Sequence, residues 1–99
     1  MRFYVERNIL TDDTGKVVPA DDPTRISYTI IDGVDGETAV RAAAADADTE
    51  ILFDVYRMSP EQAMATVRQG RRVLTIHAFP EEEAQDRIIK ADTATDRRY

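Results

Sequence analysis

Cysteine and tryptophan are absent, histidine occurs once, and glycine and proline occur four times each. Without cysteine there is no disulfide framework, no thiolate nucleophile and no cysteine-based zinc site. The single histidine, His77, supplies too few nitrogen ligands for zinc. No apolar run approaches the roughly eighteen residues needed to cross a bilayer. The N-terminal stretch MRFYVERN contains an acid and no apolar h-region, so it does not read as a signal peptide. The cytoplasm is the expected compartment, with no membrane, metal or cofactor as partner.

Signatures of chemistry are missing as well. There is no G-x-S-x-G elbow, no S-x-x-K, no H-E-x-x-H and no G-x-x-x-x-G-K-[ST]. Gly33 and Gly36 do not stand at the G-x-G-x-x-G spacing of a dinucleotide loop. Lysine is scarce too, confined to Lys16 and Lys90. Nineteen acids face 13 bases, for a formal charge of -6. Such a surface repels nucleic acid and anionic lipid and favours a protein partner with a basic surface.

What is present describes a globular chain. At 99 residues, 42% hydrophobic and 32% charged, it forms one domain. We expect a compact unit over 1–90 and a flexible tail over 91–99, where ADTATDRRY offers little to bury. The most strongly patterned stretch runs from Ile51 to Phe79. Ser59, Pro60 and Gln62 match a capping box with proline at the first helical position. Ala63, Met64 and Val67 recur at helical spacing, and Gly70 can end a helix. On either side, ILFDVYRM and RRVLTIHAF alternate with period two. This predicts strand, helix, strand, with a parallel crossover.

The remainder follows the same rules. Phe3 and Val5 mark a first strand, and Thr11–Lys16 is turn chemistry returning through Val17 and Val18. Arg25–Asp32 reads as a strand with Ile26, Tyr28 and Ile30 on its core face. Asp35 is placed to cap a helix reaching about Ala47, with Ala39, Val40, Ala43, Ala44 and Ala47 in its stripe. Pro80–Glu83 opens a last helix anchored by Ala84, Ile88 and Ile89. The expected fold is α/β (α+β): a two-layer sandwich with a mixed four-stranded sheet and helices mainly on one face, in the order β-β-α-β-α-β-α.

One sheet face is thereby apolar and the other mixed. The mixed face, with Leu52, Met58 and Phe79, is an expected contact surface for a partner or for a homodimer. The acids Asp46, Asp48, Glu81, Glu82 and Glu83 are expected to engage a basic partner, as a small inhibitor or adaptor of a nucleic-acid-binding protein would. The alternative is a small dimeric enzyme or ligand binder. In it Asp54, Tyr56 and His77 share the mixed face, the carboxylate orienting the imidazole for acid–base work.

Overall fold

The computed structural model describes residues 1–46 and 49–83. Its elements are β1 (Arg2–Ile9), β2 (Ile26–Asp32), α1 (Gly36–Asp46), β3 (Glu50–Ile51), β4 (Tyr56–Ser59), β5 (Gln62–Gln69) and β6 (Arg72–Pro80). A short helical turn begins at 81–83. The strands form one open sheet in the order β2-β1-β6-β5-β3, with β4 also paired to β5, and every pairing is antiparallel. The architecture is a mostly-sheet α+β fold. The expected mixed four-stranded sheet gives way to a six-stranded antiparallel one.

The largest correction lies in the centre of the chain. Residues 62–69 form a strand where the capping pattern predicts a helix. The Ser59 hydroxyl accepts the amide of Glu61 at 3.2 Å, two residues on, and so shapes a turn instead of a helix start. Ser59 then pairs with Gln62 across a two-residue hairpin loop, Pro60–Glu61. A second such loop, Gly70–Arg71, joins Gln69 to Arg72, with Gly70 at φ +63°. Two tight hairpins replace the parallel crossover.

The physical reason is burial. Ala63, Ala65 and Val67 alternate on one face of β5 and are fully or almost fully buried. An isolated helix of eight residues is marginal in water, whereas this strand closes a ladder on both sides. Tertiary packing overrides alanine's weak strand propensity.

α1 conforms to its sequence. Thr38 donates to the Asp35 carboxylate through its amide, at 2.8 Å, and through its hydroxyl, at 2.7 Å. These bonds hold the Asp35 carboxyl below its ordinary range. Ala39, Val40, Ala43 and Ala44 face a sheet floor of Phe3, Val5, Ala63, Ala65, Val67, Leu74, Ile76 and Ala78. Small residues on both layers let helix and sheet approach closely. The amide of Gly36 donates to the Pro60 carbonyl at 3.1 Å, fixing the helix start over the β4–β5 loop.

Register supplies two further corrections. β1 and β2 pair Phe3 with Ile31, Tyr4 with Ile30 and Glu6 with Tyr28. Ile26, Tyr28 and Ile30 therefore lie on the face away from α1, and Ile31 and Thr29 lie on the helix face. The strand expected over 51–58 breaks into β3 and β4, and Phe53, which lies between them, is 70% exposed. The early hairpin forms as expected, with a bridge from Thr11 to Val17 and a bond from the Val18 amide to the Leu10 carbonyl. Residues 47–48 and 84–99, with the expected anchors Ala84, Ile88 and Ile89, lie outside the described residues.

Candidate interaction surface

The face away from α1 carries a continuous cross-strand row. Registers place Tyr28 opposite Glu6, Glu6 opposite His77, His77 opposite Met64 and Met64 opposite Tyr56. The Tyr28 hydroxyl donates to the Glu6 carboxylate at 3.0 Å. The His77 ring stands edge-on to Phe79, their centroids 5.2 Å apart. Both ends of the row lie on outer strands, and Tyr56 is 64% exposed.

The proposed Asp54–Tyr56–His77 cluster is not brought together. The Asp54 carboxylate accepts its neighbour's amide, from Val55, at 2.9 Å and lies 3.5 Å from Arg41 of α1. It thus engages the helical layer, while His77 alternates with the buried Ile76 and Ala78 and points to the opposite face. Tyr56 shares that face but sits two strands away, with Met64 between. Strand spacing makes the separation about 10 Å. The carboxylate that does stand opposite His77 is Glu6, four strand positions after the start of the chain's first β ladder. The sequence puts it and His77 on period-two strands but cannot choose which strands pair.

The other expected contact residues divide. Phe79 is fully buried, Leu52 is half-buried and Met58 is exposed. Phe53, Asp54, Tyr56, Met64, Ala65 and Thr66 line a shallow groove beside β4. Phe53, Tyr56 and Met58 thereby form an exposed apolar strip on this edge. Phe53 joins this strip because the strand stops at Ile51.

Most described carboxylates are already engaged. Asp12 accepts Thr14 through amide and hydroxyl and also the Lys16 amide, and Asp22 accepts Thr24 in the same twofold way. Both are held below the ordinary aspartate range by those bonds. Asp13 pairs with Arg72, Glu50 with Arg68, and Glu37 with Arg41 and Arg57. Of the acidic triplet, Glu81 lies 3.7 Å from Arg2 and Glu83 accepts the Gln62 side-chain amide. Glu82 is exposed, and with Glu61 it has no cationic partner among the described residues. Met1, Arg2, Glu61, Pro80, Glu81 and Glu82 line a shallow depression at this corner. Asp48 and the side chain of Asp46 lie outside the described residues.

Among the described residues no helix is long and apolar enough to cross a membrane. No family model, no curated protein and no solved structure matches this chain.

Proposed function

We propose that this chain is a small acidic protein-binding module without chemistry of its own, an inhibitor or adaptor whose partner presents a basic surface. The observation that carries the reading is the β4–β5 hairpin. Exposed apolar side chains, Tyr56 and Met58, run up its outer strand, and Glu61 and Glu82, carboxylates with no cationic partner among the described residues, stand around its loop. An apolar strip beside a negative corner suits a partner segment that alternates apolar and arginine or lysine side chains. Apolar contact would supply affinity, and the carboxylates would supply steering and orientation. Asp12, Asp13, Asp22, Asp35, Glu37, Glu50 and Glu81 are already engaged in turns, a cap and ion pairs, which favours this corner as the electrostatic part of the surface.

The test is affinity capture from the native host with the wild-type chain and two variants, Glu61→Lys/Glu82→Lys and Tyr56→Ser/Met58→Ser. We expect capture of a protein with a basic surface, weakened by salt and by charge reversal, and lost in the apolar double variant. Equal capture by all three at low and high salt rejects the reading.

A second reading, a binder of small ligands or a small enzyme, draws support from the Glu6–His77 juxtaposition, with the Tyr28 hydroxyl at 3.0 Å from Glu6. A carboxylate beside an imidazole is the least that acid–base work requires. A thermal-shift screen of metabolites should then give a hit that His77→Gln abolishes. A hit retained by that variant removes His77 from the site.

A further inference from the structure

The two edges of the sheet are built differently. One is broken: β3 has two residues, β4 has four, the register slips between Arg57 and Ser59, and Pro60 follows at once. Short strands, a bulge, a cation and a proline are the devices that keep an edge from pairing with another chain. The other edge has none of them. β2 is an unbroken seven-residue strand, ISYTIID, without lysine, arginine, proline or a register shift. All of its residues but Ile31 are exposed, Ile26 by 46% and Ile30 by 47%. Among the described residues no strand lies beyond it.

The phase of its hydrogen bonds is set at both ends. The Ile9 amide donates to the Arg25 carbonyl at 2.8 Å, and the Gly33 amide donates to the Met1 carbonyl at 3.0 Å. Odd-numbered residues of β2 therefore exchange bonds with β1. The backbone groups of Ile26, Ile30 and Asp32 point to the open side.

We propose that a second copy of the chain adds to the sheet along β2, antiparallel, about a two-fold axis at Thr29. This register lets the outward groups meet outward groups. Tyr28 faces Ile30 of the second copy, Ile26 faces Asp32, Ser27 faces Ile31, and Thr29 meets Thr29. The exposed Ile30 of each copy becomes the cross-strand neighbour of the Tyr28 ring, and a threonine pair sits at the centre. The only ionised side chain of the strand, Asp32, falls at the ladder's two ends, opposite an isoleucine and far from its copy. Self-complementarity selects a second copy over a foreign strand, because one residue pattern satisfies both sides at once. Pairing also stops at two: each remaining edge is the broken β3–β4 edge, so the assembly closes and does not grow into a fibre. This contact uses the edge opposite the β4–β5 hairpin, so either proposal can fail alone.

Two measurements on the whole chain test it. Solution mass across a series from low micromolar to millimolar should show a reversible monomer–dimer equilibrium. The Ile30 amide points away from β1, so Ile30→Pro removes no bond of the folded chain but places a ring against the incoming strand. It should keep wild-type circular dichroism and weaken the dimer by about tenfold or more. The chain has no cysteine, so Thr29→Cys introduces a single thiol. Opposed non-hydrogen-bonded positions lie about 4.5 Å apart, within disulfide reach. Mild oxidation should cross-link Thr29→Cys efficiently and should cross-link Val34→Cys, a thiol on the exposed loop after β2, only at the collision rate. A strict monomer overturns the proposal. A dimer that survives Ile30→Pro, or equal cross-linking of the two cysteine variants, overturns it as well.

Discussion

Gly36 brings the start of α1 close against the backbone of β5, and replacing it measures how firmly helix and sheet are docked. A methyl group there would stand 3.0 Å from the amide nitrogens of Gln62 and Ala63 and from the carbonyl carbon of Gln62. These are strand backbone atoms held between β4 and β6, so no side chain can swing aside. Either α1 lifts by a few tenths of an ångström, or β5 bends. Overpacking of this kind costs about 1–3 kcal/mol. Alanine opposes that loss by restricting the unfolded chain and favouring helix, a gain of about 0.5–1 kcal/mol. The steric loss wins, leaving Gly36→Ala less stable by about 1–2 kcal/mol and lowering the thermal midpoint by about 5–15 °C. Gly70→Ala separates the two meanings of glycine, since nothing lies within 4 Å of its would-be methyl but φ is +63°. Its cost, about 1–2 kcal/mol, is conformational, and Gly70→Asn should recover part of it. Gly33→Ala, whose nearest neighbour is at 3.4 Å, is the near-neutral control. Urea and thermal unfolding of the four variants provide the measurement. A Gly36→Ala chain as stable as wild type, or more stable, would refute the close docking of α1 on β5.

Other perturbations probe the core and the cap. Leu74 is fully buried among Ile9, Val67 and the helix face. Leu74→Ala should cost about 2–5 kcal/mol in urea unfolding, and a loss below about 1 kcal/mol would contradict that burial. Asp35 has its folded pKa depressed below the ordinary 3.8 by the bonds from Thr38. Its contribution is therefore complete above the unfolded value and is lost as pH falls through the folded one. Asp12 and Asp22 have the same sign. Stability should fall on acidification below about pH 4, and Asp35→Asn, which keeps the acceptor but cannot titrate, should flatten that fall. Parallel pH profiles for the two proteins would remove the Asp35 carboxylate from acid unfolding.

Parts of this architecture are legible without coordinates because their signals are local. The Asp35 cap and the alanine stripe of α1 are contained within a dozen consecutive residues, and the helix forms where they place it. The alternation of Val73–Phe79 likewise identifies β6. The segment 59–70 misleads for an equally local reason: S-P-E-Q serves a hairpin turn as well as a helix start. Ala63, Met64 and Val67 fit a helical stripe, and Ala63, Ala65 and Val67 fit a strand face. Only the demand of α1 for a floor of small side chains decides between them. The β2 error is one of phase, since Ile30 and Ile31 adjoin and either could face inward.

The same division holds for the candidate sites. An acidic charge balance, a mixed far face and the absence of familiar catalytic motifs are properties of composition and alternation, which survive any arrangement of strands. Which carboxylate faces His77, which acids remain unspent and which edge is open are properties of pairing. Glu6 and His77 are 71 positions apart in number yet opposite in the sheet, whereas Asp54, nearer in the chain, turns to the helical layer. The chain alone thus determines which residues can share a face of one strand, because a strand's side chains alternate regardless of context. The tertiary structure decides which strands become neighbours and in what register, because those choices are made by burial and backbone pairing between segments far apart in sequence.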